Sequence, residues 1–258
     1  MLISVVTPVR NGAKTIARTL ASISVQQAKF EHIVVDGGST DETVDIVESY
    51  RSVYPVTLVR KADRSMYEGV WNGMQVARGD VLCYLNADDV YLPWTLATVS
   101  SVLDTSRGID WITGIPSWMR LETGIGSTMS YAPVYPRKWI RRGWYTDAHL
   151  GFLQQESMFW SRRLWERANP GDIFSQYRLA ADFHLWKRFS TIAELNTVAC
   201  ALGCFVVSDQ QASRIRRDTY LDECGIPKNL QRPRRWTSIV NRLVSNVLAK
   251  RVLLPHVN

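Results

Sequence analysis

Asp88 and Asp89 follow directly on the apolar run Val81-Leu82-Cys83-Tyr84-Leu85, across a turn begun by Asn86 and Ala87. Two adjacent carboxylates at the end of a buried strand are costly to hold together unless something cationic sits between them. Oxygen ligands at this spacing suit a hard divalent ion, Mg²⁺ or Mn²⁺, which keeps several waters and also binds a substrate diphosphate. The competing reading is a cap on the helix that Pro93 introduces. A third carboxylate, Asp182, shares a helical stripe with Leu185, Trp186 and Phe189. A charge on an inward stripe reads either as a helix N-cap or as a general base whose burial raises its pKa. Upstream, Gln154, Gln155 and Glu156 form another polar cluster between apolar residues.

The elements that must position these groups alternate. Leu2 to Thr7, His32 to Val35, Val56 to Val59 and Val81 to Leu85 read as strands. Between them lie helical stretches carrying Ile16, Leu20 and Ile23, then Val44 and Val47, then Val70, Met74 and Ala77. Ser39 and Glu42 have the spacing of a capping box for the second of these. Regular alternation predicts an α/β fold, a mostly parallel sheet flanked by helices, with its ligand outside the carboxyl ends of the strands. Those ends carry Thr7 to Asn11, Asp36 to Ser39, Lys61 to Arg64 and Asn86 to Asp89, so polar residues gather on one edge. No GxGxxG follows the first strand and no GxxxxGK[ST] occurs, which disfavours dinucleotide and P-loop sites.

A further helix is expected over 94–103 and a short strand over 111–113. Residues 115–150 read as irregular and crowded with Trp118, Tyr131, Tyr135, Trp139, Trp144 and Tyr145. Such rings either face sugars, as a lid, or fill a second small core.

Four cysteines without CxxC spacing, and no paired histidines, argue against zinc and for reduced thiols in the cytoplasm. Met1 to Pro8 begins directly as a strand, so no secretory leader is expected, and with no run of about 18 apolar residues no spanning helix is expected either. The net charge of +7 lies in the tail: Lys228, Arg232, Arg234, Arg235, Arg242, Lys250 and Arg251 face no acidic residue beyond Glu223. Trp236 to Leu254 reads as an amphipathic helix, for an anionic membrane surface met through residues 228–258, or for the domain itself or a second copy in a homo-oligomer. Nucleic acid is not expected, because aromatic platforms with interleaved basic residues are missing.

Taken together, SVVTPVRNGAKTIARTLASI, IVVDGGSTDET, ADRSMYEGVWNGMQVARGDVLCYLNADD, LQQESMFWSRRLWERA, AADFHLWKRF and GCFVVSDQQAS occur in an order that resembles the family 2 glycosyltransferases of GT-A fold. The resemblance spans residues 1–215 and is closest to bacterial members building exopolysaccharides, capsules or O-antigens. It implies a nucleotide-binding half over 1–103 and an acceptor half over 104–215, and leaves the basic amphipathic tail over 216–258 outside it. On the nucleotide-sugar side it implies Thr7, Pro8, Arg10, Asp36, Gly38, Asp63, Arg64, Asn72, Asn86, Ala87 and Asp88, with Asp36 accepting from a base N–H. Asp88 and Asp89 match the metal position, for Mg²⁺ or Mn²⁺, and Asp182 matches the catalytic base. Gln155 and Glu156 match the acceptor or donor-sugar side. Asn86 stands where the family carries its first acidic residue, and Ala181 where a glutamate precedes the base.

The implied reaction is transfer of a sugar, with inversion, from a nucleoside-diphosphate donor to a glycan hydroxyl, the acceptor carried on a polyprenyl diphosphate at the inner face of the cell membrane. Two alternatives remain: a non-catalytic nucleotide-sugar-binding protein of this fold, and a nucleotidyltransferase, whose Gly-rich first loop PVRNGAK lacks.

Overall fold

Side-chain alternation along the first strands assigns each residue to one of two cores. In the computed structural model, which describes residues 1–106, 108–124, 126–146, 149–207, 217–226, 243 and 252–253, strand β1 (Ile3–Val9) is buried throughout. Ile3 and Val5 face one core and Val6 the other. The same split separates Val34 from Ile33 and Val35 on β2 (Phe30–Asp36), and Cys83 from Leu82 and Tyr84 on β4 (Val81–Tyr84). A sheet buried on both faces needs helices on both sides. Helices α1 (Ile16–Ser24), α2 (Thr43–Ser49) and α4 (Thr95–Thr105) cover one face through Leu20, Val47 and Val99. On the other, α3 (Met66–Val76) presents Val70 and Met74, beside α6 (Arg162–Ala168), α7 (Gly171–Gln176) and α8 (Ala181–Ile192).

The large sheet has eight strands in the order β12-β10-β6-β9-β4-β1-β2-β3, where β3 is Val56–Arg60, β6 Trp111–Thr113, β9 Met158–Ser161, β10 Asn196–Val198 and β12 Val252–Leu253. Strands β1 to β4 are parallel, whereas β9 runs antiparallel to both β4 and β6. The residues entering β9 therefore arrive at the edge where β4 ends. A four-stranded sheet, β5-β11-β7-β8, lies beyond that edge, with β5 at Val90–Tyr91, β7 at Ser117–Arg120, β8 at Gly126–Thr128 and β11 at Gly203–Val207. Trp160 on β9 packs against Tyr84, Trp165, Trp186 and Phe189 at ring distances of 5.7–6.3 Å, tying β4, α6 and α8 together.

Several expectations change in detail. Ser39 and Glu42 do not form a capping box: Ser39 Oγ accepts from the Asn11 N–H at 2.9 Å, and Glu42 is itself the N-cap of α2. The loop after β1 outcompetes the helix for that hydroxyl. Tyr135 and Tyr145 join the main core instead of a second small one, flanking the short helix α5 (Arg137–Arg141). Trp118 stays 38% exposed. Most of the basic tail lies outside the described residues, but its expected helix does not reach Leu254, because Val252 and Leu253 form β12 and pair with Thr197 and Val198. On α9 (Arg217–Glu223) and just after it, Leu221, Cys224 and Ile226 pack on Ala180 and Phe183 at the start of α8.

Candidate active site

Parallel order brings the loops after β1, β2, β3 and β4 to one edge of the large sheet. The donor side is built first by β2. Asp36, only 1% exposed, accepts at Oδ1 from the Ser39 N–H (3.0 Å), while Oδ2 is buried with no hydrogen-bond partner and lies 3.9 Å from the Arg60 guanidinium. Asp63 packs over Gly37 so closely that a Cβ there would lie 2.5 Å from Asp63 Oδ2, so any larger residue would displace that carboxylate. Burial raises the pKa of Asp63, Glu68 and Asp36 add to the shift, and Arg10 opposes it. Gly38 has φ +94°, in the left-handed region that favours glycine.

Other residues expected on this side turn inward or fold back. The Thr7 hydroxyl is buried against His32 Nε2 (2.9 Å), and His32 Nδ1 meets the Tyr54 hydroxyl (2.8 Å). Burial pushes His32 down to about 3, so the imidazole is neutral and Thr7 is committed beneath the edge. Arg64 returns to α3 through its N–H and Nε on Glu68 Oε2 (2.9 and 3.0 Å). Pro8 sits against Gly69. Asn72 accepts from Lys61 Nζ at 2.9 Å, leaving its Nδ2 buried without a partner.

The loop after β4 separates its two carboxylates. Asp89, 1% exposed, accepts from the Val206 N–H on β11 (2.9 Å) and from Asn86 Nδ2 (3.3 Å). Burial raises its pKa, helped by Glu156 and Asp88. Asp88 is half-buried; burial raises its pKa too, and Arg18 on α1 lowers it. Neither caps the following helix, since the N-cap of α4 is Trp94 and it makes no side-chain cap bond.

Antiparallel β9 delivers Gln155 and Glu156 to the same place. Gln155 Nε2 donates to the Tyr84 carbonyl, and a Cβ on Gly203 would collide with the Glu156 carbonyl. Glu156 is 3% exposed, and its pKa is pushed up to about 8 by burial first and then by the charges of Asp88 and Asp182. Asn86 Oδ1, Gln155 Oε1 and Glu156 Oε1 are all buried without a hydrogen-bond partner. Buried polar atoms of this kind call for a water, a cation or a ligand group to pair with. Among the described residues, no three His, Cys, Asp or Glu side chains form a metal cage. Mg²⁺ and Mn²⁺ are commonly held by one or two carboxylates together with substrate phosphates, and Asp88 with the unpartnered Asn86 Oδ1 fits that lower demand.

Asp182 stands in the first turn of α8, not at its cap; the N-cap is Ala180. Its Oδ1 accepts from the Phe183 N–H at 2.7 Å. The Tyr67 hydroxyl lies within reach of both Asp182 and the Leu179 carbonyl (3.3 Å), and can donate to one at a time. Burial pushes the Asp182 pKa up to about 6, against the pull of the Phe183 N–H and Tyr67. Burial raises the Tyr84 pKa, and the charges of Asp182, Glu156 and Asp89 add to the shift. Tyr67 and Arg18 are the neighbours that the sequence reading did not single out. Tyr67 had a usable signal, its helical spacing with Val70 and Met74.

Glu156 also predicts a pH dependence. Its folded pKa of about 8 lies above the ordinary 4.5, so its contribution to stability is complete below pH 4.5 and is lost as pH rises through 8. Glu156→Gln is expected to flatten the fall in stability across that window, by at most about 1.4 kcal/mol per pH unit. Urea unfolding of both chains between pH 5 and 9 measures it.

The sequence pattern of the family described as Glycosyl transferase family 2 matches residues 4–149. The chain belongs to that family. Its relatives include a Mycobacterium tuberculosis "PGL/p-HBAD biosynthesis glycosyltransferase", 34% identical over 117 residues, which are 44% of this chain and 46% of that protein. "Glycosyltransferase AglE" of Haloferax volcanii is 29% identical over 118 residues, 43% of this chain and 38% of that protein. The chain thus spans about half the length of the curated relatives it matches, or less. Among solved structures, S. aureus TarS 1-349 in complex with UDP-GlcNAc superposes with a TM-score of 0.65 at 21% identity, covering 82% of this chain and 60% of that one. Mannosyltransferase PcManGT from Pyrobaculum calidifontis, in complex with GDP-Man and Mn²⁺, gives 0.62 at 20% identity, covering 96% and 70%. These likenesses establish the GT-A architecture, a mostly parallel sheet flanked by helices. No helix among the described residues is long and apolar enough to cross a membrane.

Proposed function

We propose that this chain is a metal-dependent inverting glycosyltransferase, moving a sugar from a nucleotide-diphosphate donor to a hydroxyl of a lipid-linked glycan in bacterial surface-polysaccharide assembly. The observation that carries the reading is the gathering of Asp88 and Asp182 around the buried Glu156, with Asp36 and Asp63 close to each other at the carboxyl edge of the same sheet. The names of the relatives, and the sugar nucleotides in complex with the structural neighbours, support it.

In this mechanism Asp36 accepts from the base N–H with its free Oδ2, and Asp63 closes the nucleotide side over Gly37. Asp182 takes the proton from the acceptor hydroxyl as that oxygen attacks the anomeric carbon, while the bond to the nucleoside diphosphate breaks. A single displacement inverts the anomeric centre. Asp88 would hold Mg²⁺ or Mn²⁺, whose chemistry is to neutralise charge on the leaving diphosphate. Glu156, protonated near neutral pH, donates to a sugar oxygen, with Gln155 beside it.

A thermal-shift panel of UDP-, GDP- and dTDP-sugars with Mn²⁺ tests the reading. One nucleotide class is expected to raise Tm by several degrees, and Mn²⁺-dependent hydrolysis of that donor should follow. No shift with any donor would overturn it; a shift without hydrolysis would favour the non-catalytic alternative.

A further inference from the structure

Helix α8 begins without a cap of its own. Ala180 occupies the N-cap position and offers no side-chain acceptor, so the backbone leading into the helix is held from elsewhere. The residue that holds it is Glu223, at the end of α9. One Glu223 carboxylate accepts from three consecutive backbone N–H groups, those of Arg178 (3.2 Å), Leu179 (2.8 Å) and Ala180 (2.9 Å). Successive N–H groups converging on one anion form a backbone nest, a strong and geometrically demanding arrangement. The Glu223 carbonyl is tied as well, 2.8 Å from His184 Nε2, and the His184 ring stacks on Tyr177 at 3.7 Å. Leu221, Cys224 and Ile226 close the apolar side against Ala180 and Phe183.

Asp182 stands two residues after the last of these N–H groups. We infer that Glu223 is a positioning residue for the reaction, holding the 178–180 backbone so that the first turn of α8 presents Asp182 at the site. The inference rests on the reading of Asp182 as the base. It places a residue well beyond the 4–149 span of the family match in control of the reacting geometry. The groups facing Asp182 are Tyr67 from α3, Tyr84 from β4, Glu156 from the segment before β9, and Tyr220, Glu223 and Cys224 from α9 and its end. Of these, Glu223 adds a negative charge that raises the Asp182 pKa slightly, so the carboxylate both holds the base and helps to set it.

The experiment compares Glu223→Ala and Glu223→Gln with the full chain. An amide oxygen still accepts N–H bonds without the charge, whereas alanine offers nothing. Amide hydrogen exchange at 178–183 is expected to speed up about tenfold or more in Glu223→Ala and much less in Glu223→Gln. In hydrolysis of UDP-GlcNAc and of GDP-mannose with Mn²⁺, Glu223→Ala should lower kcat by about tenfold or more at unchanged donor KM, the scale of a misplaced group. Glu223→Gln should keep most of kcat while the acid limb of its pH profile moves to lower pH. Unchanged exchange at 178–183 in Glu223→Ala would overturn the inference, whatever Asp182 does. So would faster exchange with wild-type kcat, or a loss of kcat matched by a rise in donor KM. If Asp182→Asn keeps its activity while exchange speeds up in Glu223→Ala, the base assignment fails and the backbone clasp stands.

Discussion

Asp182→Asn is expected to lower turnover by about 10²-fold or more while leaving donor binding intact, the usual scale for loss of a general base. The substitution is nearly isosteric, and an amide oxygen can still accept from the Phe183 N–H that Asp182 engages at 2.7 Å. What disappears is the proton acceptor. The wild-type rate should fall as pH drops below about 6, because the carboxylate must be ionised to act and burial has pushed its pKa to that value. The variant's residual rate should lack that limb. Turnover against pH, together with the donor-induced rise in Tm, measures both halves. Near-wild-type transfer by the variant would remove Asp182 from the mechanism.

The second large effect is expected at Asp88. Asp89 has both oxygens committed inside the molecule, to the Val206 N–H and to Asn86, so the loop has one half-buried carboxylate left to offer a cation. Asp88→Ala should therefore abolish the Mn²⁺-dependent part of the donor thermal shift and raise donor KM by about 10²-fold, the scale of lost diphosphate neutralisation. Titrating Mn²⁺ at fixed donor gives the answer directly: an unchanged Mn²⁺ response in the variant would take Asp88 out of the metal role.

Much of this site is visible in the primary structure because local patterning dictates it. The parallel half follows from four apolar strands spaced by amphipathic helices, and parallel order alone puts Asp36, Asp63 and Asp88 on one edge. Glu156 is different. Its sequence marks a polar cluster, but only the antiparallel insertion of β9 between β4 and β6 carries it to the acidic loop. Roles inside that loop are hidden too, because Asp89 is claimed by a backbone N–H on β11, 117 residues away. Ser39 shows how spacing misleads: it satisfies the capping rule, yet the neighbouring Asn11 loop takes its hydroxyl. Glu223 leaves no trace in any motif, since its partners are main-chain groups and carry no side-chain signature.

The short strand β12 has a practical corollary. Val252 and Leu253 sit along β10, and the Leu253 carbonyl accepts from the Ala199 N–H at 2.8 Å. Cutting the chain at residue 228 to remove its positive charges would also strip β10 of this cover and leave its ladder groups open to other molecules, an invitation to precipitate. Vesicle flotation should instead compare the intact polypeptide with one whose Arg232, Arg234, Arg235 and Arg242 are glutamines, so that lost lipid binding is not mistaken for lost solubility.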